Sequence, residues 1–413
     1  MNLELFIAKR LIRGKEHKIS ISAPIIKIAI AAIAIGIVMM LIAIATGVGL
    51  KLKIREKVAA FNGHIQIFNY DNNQSDVSVA PVSLEQEFYP QFTDVSGIAH
   101  IQGVAVKAGI IRTADTFEGV LAKGVGKDFN WKTFNEFLVK GRLANFKNDL
   151  NEEAMISKIL ANKLQLQVGD SFFTIFLKDG DPSNVPNNRK FEVVGIYDSG
   201  FEELDSQYIF VDLRHIQRMN KWTDKEVGNF EVFLDDFDDI DLKTAQIYGR
   251  TVSTLDTQNL KNKYFKIFEW VRLFDFNTAL IIGIMIIVGG INMITALLVL
   301  ILERTQMIGV LKALGAANWS IRKVFLYNAV YLIGVGLFRG NLIGLSLILL
   351  QQKYRFLKFP NPEEYYVDYI PVSLSLLHVV LLNLGVMLLC LLMLILPSYA
   401  ISKIAPIKAM KFD

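Results

Sequence analysis

The chain has 413 residues, 52% of them hydrophobic, with 44 Lys+Arg against 40 Asp+Glu and a formal net charge of +4. Its charges are confined to blocks separated by long uncharged runs, which excludes an ordinary soluble enzyme and gives no basic face for nucleic acid. The one cysteine, Cys390, excludes a disulfide within the chain.

In chain order, residues 1–27 carry Lys9, Arg10, Arg13, Lys15, Lys18 and Lys27 ahead of an uncharged run at 28–50. Three more such runs follow at 276–302, 324–350 (broken only by Arg339) and 372–396. Each exceeds the ~20 helical residues that span a ~30 Å hydrocarbon core. The first is too long for a cleavable signal peptide, and it starts too late.

Residues 51–275 read as a globular α+β domain with 27 Lys/Arg and 33 Asp/Glu, leaving +10 on the remainder of the chain. A basic membrane part suits anionic lipid. Alternation and turn residues predict strands at 64–68, 172–177, 191–197, 208–211 and 230–234, a helix at 152–164, and a Pro/Asn/Gly loop at 179–190. Leu260, Tyr264, Ile267, Phe268, Val271 and Phe274 form a helical stripe. With no Pro or Gly before the second run, the stripe predicts one continuous helix over about 257–302, ~70 Å long at 1.5 Å per residue. The alternative is an interfacial helix followed by a bend.

Residues 303–323, ERTQMIGVLKALGAANWSIRK, lie between the second and third runs. They are too polar to span and too apolar to idle in solvent. Such a helix-forming stretch is placed to receive a push from a partner. Its Arg304, Lys312, Arg322 and Lys323 equally satisfy the positive-inside rule. Gly315 suits a left-handed helix end, and Asn318 suits the cap of the next helix. With the basic flanks at 1–27, 303–323 and 397–413, both termini and this connector fall on the cytoplasmic side. Lys51, Lys53, Arg55 and Lys57 run against that rule, which long translocated domains tolerate.

No Walker A sequence is present: Gly124-Val-Gly-Lys127 is followed by Asp128 and lacks the earlier glycine. The five histidines, at 17, 64, 100, 215 and 378, have no metal-ligand spacing. No Asp or Glu lies within the four runs, where a proton- or sodium-coupled carrier needs one.

The connector Glu303-Arg-Thr-Gln-Met-Ile-Gly-Val-Leu-Lys-Ala-Leu-Gly-Ala316 resembles the signature of FtsX-like ABC transporter permeases. The tail Pro397-Ser-Tyr-Ala-Ile-Ser-Lys-Ile-Ala-Pro406-Ile-Lys-Ala-Met resembles that family's C-terminal motif. The start Ile7-Ala-Lys-Arg-Leu-Ile-Arg13 with Ile19-Ser-Ile-Ser22 resembles its N-terminal elbow. Within the family, Lys140-Gly-Arg142, Leu166-Gln-Val-Gly-Asp170, Phe191-Glu-Val-Val-Gly-Ile-Tyr-Asp-Ser-Gly200 and Tyr208-Ile-Phe-Val211 are most similar to lipoprotein-releasing (LolC/LolE-type) permeases with a MacB-like periplasmic domain. Arg339 departs from the small apolar residues usual in that span.

The resemblance implies an α-helical membrane protein with four transmembrane helices and a large α+β extracytoplasmic domain inserted between the first and second spans. The expected layout is 1–27 elbow, 28–50 first span, 51–275 periplasmic domain with stalk, 276–302 second span, 303–323 coupling helix, 324–350 third span, 351–371 periplasmic loop, 372–396 fourth span and 397–413 tail. It implies a non-catalytic permease in the inner membrane, with no cofactor of its own and with ATP and Mg on a separate cytoplasmic ATPase. Further implied partners are a second permease subunit (self or paralogue), membrane lipid and a periplasmic lipoprotein carrier.

Glu303, Arg304, Met307, Ile308, Leu311, Lys312, Leu314 and Gly315 are the implied ATPase-coupling residues, with the apolar ones filling a groove on the ATPase. The loop residues Asp181, Pro182, Ser183, Asn184, Val185 and Pro186 correspond to the carrier-binding hook. Met39, Met40, Ile44, Gly289 and Asn292 are candidates for a lipid path, since Met lines variable chains and Gly permits close approach. The alternatives are plain helix packing for that path, an exporter of peptides or drugs, and a scaffold that regulates a wall hydrolase.

Overall fold

The computed structural model describes residues 3–13, 22–73, 75–113, 116–147, 150–176, 187–360, 367 and 369–403. The chain divides into a helical unit (Met1–Lys51, Trp270–Lys358 and Tyr369–Asp413) and a mixed α/β unit (Leu52–Glu269 with Phe359–Asp368). Four helices are long and apolar enough to cross a membrane. They are Ser22–Asn62, Phe265–Glu303, Asn318–Tyr354 and Leu376–Ser398.

The first long helix outlasts its uncharged run because no Pro or Gly interrupts 51–62. Ile54, Val58 and Phe61 supply a buried stripe at helical spacing. It ends where Gly63 takes φ +66° and donates its N–H to Ala59 O at 2.7 Å, a conformation that glycine adopts without steric cost.

The continuous helix predicted over about 257–302 is formed over Phe265–Glu303 and starts later than expected. Leu255–Asn259 is a strand, drawn into the sheet by pairing with Ile65–Asn69. The Asn259 side chain then caps a short helix, Leu260–Lys263, by accepting the Asn262 N–H at 2.9 Å. Tyr264 (φ −110°, ψ 43°) breaks the path, and the second long helix starts at Phe265.

In the helical unit, Gly336, Gly340 and Gly344 line one face of the third long helix at four-residue spacing. A Cβ on them would meet Ile33, Ile37 and Leu41 of the first at 2.7–2.9 Å. Small residues along one ridge let two helix backbones approach closely, and the branched ridge of the partner fills the groove. Asn341 and Asn383 exchange reciprocal amide bonds at 2.6 and 3.1 Å between the third and fourth helices. Lys51 pairs with Asp275 at 2.7 Å.

The mixed unit is built on strands β1 (Ile65–Asn69), β2 (Val82–Ser83), β3 (Ile98–Arg112), β4 (Phe117–Val125), β5 (Leu138–Gly141), β6 (Glu153–Ser157), β7 (Ser171–Phe176), β8 (Asn187–Tyr197), β9 (Tyr208–Asp212), β10 (Glu226–Val227), β11 (Asn229–Leu234) and β12 (Leu255–Asn259). Ten of them form one sheet ordered β12-β1-β11-β3-β4-β9-β6-β8-β5, with β7 pairing β3 and β8, while β2 and β10 pair separately. Most neighbours are antiparallel, whereas β4–β9 and β6–β8 are parallel.

The helix expected at 152–164 divides in two. Glu153–Ser157 is a strand between β8 and β9, because Ala154, Met155 and Ile156 are buried on both faces of the sheet. A strand buried on both faces reads as an apolar run without alternation. Ser157 then caps the helix Lys158–Leu164, accepting the Leu160 N–H at 3.0 Å. Residues 187–190 of the expected loop are paired strand opposite 173–176. The core gathers around Phe61, whose ring meets Phe134, Phe137, Tyr197, Tyr208 and Phe210 at 5.5–6.3 Å.

Candidate functional site

The segment between the second and third long helices folds as its own helix, Thr305–Ala313. Thr305 Oγ1 accepts no cap role but donates to Leu302 O at 2.6 Å, holding the corner after Glu303. At the other end Gly315 has φ +89°. Its N–H reaches Lys312 O at 3.0 Å, and the Ala316 N–H reaches Leu311 O at 3.0 Å. This is a Schellman ending, which satisfies carbonyls that a helix terminus otherwise leaves open. Asn318 does not cap the next helix. Ala317 occupies the cap position without a side-chain bond, and Asn318 is the first helical residue.

The connector's apolar side chains fall on two faces, and this revises which of them are available. Ile308 is fully buried in the helical unit's own core, and Met307 and Leu311 pack against that core. They turn inward, because Leu311 lies three residues from Ile308 and four from Met307, spacings that share a helix face. The exposed apolar residues are Val310, Leu314 and, just beyond the turn, Trp319, with Leu314 79% exposed. Glu303 is exposed at the end of its helix and Arg304 is half-buried. Lys312 donates to Ile401 O at 2.7 Å. Burial first, and Arg322 second, lower its pKa. The N-terminal helix Leu3–Arg13 joins this end of the unit through Glu4 Oε1, which accepts from Ser320 Oγ at 3.2 Å.

The candidates for a lipid path differ in exposure. Met40 belongs to the helical core and Ile44 packs against it, whereas Met39 is 45% exposed. Gly289 is buried and Asn292 half-buried on the second helix. Arg339 is exposed beside Phe338.

In the mixed unit the expected hook residues 181–186 lie outside the described residues. The strands on either side are described, and register lines up a row across them. Arg112 of β3 faces Phe117 of β4 and Phe173 of β7, and Phe173 faces Lys190 of β8. Directly opposed residues share a sheet face. Phe117 is 72% and Phe173 53% exposed, with exposed Arg112 and Lys190 beside them. The next row on this face holds Gly119, Ile110, Ile175 and Asn188. A basic, aromatic, solvent-facing surface therefore adjoins the ends of β7 and β8. Alternation over 108–112 places Ile110 and Arg112 on this face, and pairing with β4 brings Phe117 beside them.

Two buried polar centres organise the rest of this unit. Lys123 Nζ lies 2.6 Å from Glu231 Oε1, both side chains being 1% exposed, and also donates to Phe61 O. Gln102 Nε2 holds the other Glu231 oxygen at 2.9 Å. Burial pushes the Lys123 pKa down and Glu231 opposes it. Separately, Asp205 accepts from Ser199 Oγ at 2.6 Å and from the Ser199 N–H at 3.0 Å. Burial nevertheless raises its pKa to about 6. Among the described residues no group of three His, Cys, Asp or Glu is placed to hold a metal ion.

Residues 279–406 match a family model described as FtsX-like permease C-terminal, and residues 28–253 match one described as MacB-like periplasmic core domain. The chain is 23% identical over 290 residues to the lipoprotein-releasing system transmembrane protein LolC of Haemophilus influenzae, covering 70% of this chain and 69% of that one. To LolE of the same organism it is 22% identical over 425 residues, covering 98% of each. It is also 26% identical to the ABC transporter permease YtrF of Bacillus subtilis over 250 residues, 56% of this chain and 55% of that one. Among solved structures it is similar to the periplasmic region of MacB from Actinobacillus actinomycetemcomitans, with TM-score 0.31, 14% identity and 47% and 87% coverage.

Proposed function

We propose, from the premise that this chain belongs to the FtsX-like ABC transporter permeases with a MacB-like periplasmic core domain, that it releases lipoproteins from the inner membrane to a periplasmic carrier. It is a multi-pass membrane subunit, and the work is done with ATP hydrolysed, with Mg, on a separate cytoplasmic ATPase. A second permease subunit, itself or a paralogue, completes the membrane part. Both termini and the connector lie in the cytoplasm, and the α+β domain stands on the periplasmic side, inserted between the first and second spans. The names of the LolC and LolE relatives support the cargo class.

The observation that carries the coupling part is the connector. It is a separately ended helix between two helices long enough to cross a membrane, anchored by Ile308 and presenting Val310, Leu314 and Trp319 outward. An apolar face held on a rigid helix is what a groove on a partner recognises. A few such anchors dominate binding. Work is needed because withdrawing acyl chains from lipid costs ~0.8 kcal/mol per CH₂. The basic aromatic row Phe117, Arg112, Phe173 and Lys190 supports the carrier part, since Phe173 and Lys190 lie on the two strands that flank the expected hook in sequence and the row offers a desolvable surface with charge.

Leu314→Asp tests the coupling reading better than Leu311→Asp, because Leu314 is exposed and its change leaves the permease's own core intact. The variant should insert normally and lose the ATPase from pull-downs. Retention of the ATPase at parental levels overturns the reading. The match to the MacB-like core supports a second reading, a peptide or drug exporter. Recovery of an outer-membrane exit duct rather than a lipoprotein carrier with the purified permease would select it.

A further inference from the structure

We infer that residues 399–402, at the end of the fourth long helix, form a strap that makes the connector and the fourth helix move as one piece, with Arg322 and Lys312 as its positioning residues. The inference rests on the connector being the element that docks the ATPase.

The fourth long helix closes at Ser398, with Pro397 in its last turn. Proline supplies no N–H and hinders the helix from running straight on. The chain turns at Tyr399 and makes one short further helix, Ala400–Lys403. Three contacts bind that turn. Ile401 is fully buried in the core that also holds Ile308 of the connector. Lys312, in the connector's last turn, reaches Ile401 O at 2.7 Å and Ser402 O at 3.4 Å. Carbonyls at a helix end lack intrahelical partners, and a lysine cation suits them. Arg322, near the start of the third long helix, places its guanidinium 3.8 Å from the centre of the Tyr399 ring and donates to Ser402 Oγ. A planar cation over an aromatic face is attractive and fixes orientation, which an ammonium does less well.

Lys312 and Arg322 stand on opposite sides of the Gly315 turn. The strap therefore grips the corner from both sides. Chain continuity and the packing of Ile308 tie the connector to the second and third helices. The strap adds the fourth, so a shift of the connector carries the cytoplasmic end of that helix with it. Packed elements of this kind move between discrete arrangements rather than deform.

The test uses the whole complex with its co-purified ATPase. Cys390, buried in the helical core, is replaced by Ala, and Leu376→Cys places a single thiol at the far end of the fourth helix, where Leu376 is 79% exposed. Maleimide labelling of that thiol is timed with and without ATP. The inference expects an ATP-dependent change in rate. Arg322→Ala and Tyr399→Leu should each abolish the change while the ATPase stays bound. Tyr399→Phe, which keeps the ring, should preserve it, and Arg322→Lys should weaken it. An ATP response that persists in the Arg322→Ala, Tyr399→Leu double variant overturns the strap, as does a parent with no response. Loss of the ATPase from Arg322→Ala also overturns it, since Arg322 would then act at the partner's surface. Failure of the connector reading is separate: it shows as Leu314→Asp retaining the ATPase.

Discussion

Lys123 and Glu231 illustrate how one pair decides the stability of a unit. Both are sealed from solvent, and Lys123 also binds Phe61 O at the end of the first long helix. Removing one partner strands the other charge, at a cost of about 3–5 kcal/mol, whereas removing both often costs little. Lys123→Met should therefore lower the unfolding midpoint sharply, and Lys123→Met with Glu231→Gln should recover much of the loss. The Gln keeps an acceptor for Gln102, and calorimetry of the full chain in detergent checks both outcomes.

Asp205 and His64 titrate in opposite senses. The Asp205 carboxyl is raised from 3.8 to about 6, by burial first. The folded state then binds its proton more tightly than the unfolded state. Its contribution is fully present below pH ~4 and is lost as pH rises through about 6. His64 is lowered to about 4 by burial, then by Arg55, and its Nδ1 accepts the Leu234 N–H at 2.8 Å. Protonation would set two donors against each other, so its contribution is lost as pH falls from ~6.5 through about 4. Asp205→Asn should remove the part of the stability curve that rises on acidification from pH 7 to 4, on the order of 2 kcal/mol. An unchanged pH slope in thermal melts counts against this assignment.

At the scale of elements, the glycine row of the third helix matters more than any single contact in the helical unit. A Cβ at Gly340 would lie 2.8 Å from both Ala34 O and Ile37 Cβ. Gly340→Leu should separate the first and third helices, at an overpacking cost of about 1–3 kcal/mol or more. Gly283→Ala is the control, since nothing lies within 4 Å of a Cβ there. Membrane abundance and melting in detergent should fall for the first variant and hold for the second.

For the whole molecule, the proposed sidedness rests on the basic flanks and is directly checkable. In spheroplasts of cells carrying Cys390→Ala, an impermeant maleimide should label Phe117→Cys and spare Leu5→Cys, both at exposed positions. Labelling of the second and protection of the first would reverse the proposed topology.

Apolar runs, charge blocks and local motifs were enough to read four membrane-length helices, a separate α+β domain, the connector and its Gly315 ending. These depend on residues close in the chain: length, periodicity and a backbone angle that glycine permits. Tertiary structure alone decided that residues 255–259 join the sheet instead of the stalk, because Ile65–Asn69 competes for their backbone. It decided that 153–157 are strand, because burial on both faces erases alternation. It also decided which connector residues face outward. Met307, Ile308 and Leu311 read as anchors as readily as Leu314, and Val310 was passed over, since an amphipathic helix shows in sequence that it has an apolar face but not what will cover it. The grip of Lys312 and Arg322 on 399–402 was equally silent, for it joins groups 89 and 80 residues apart, and only packing brings those together.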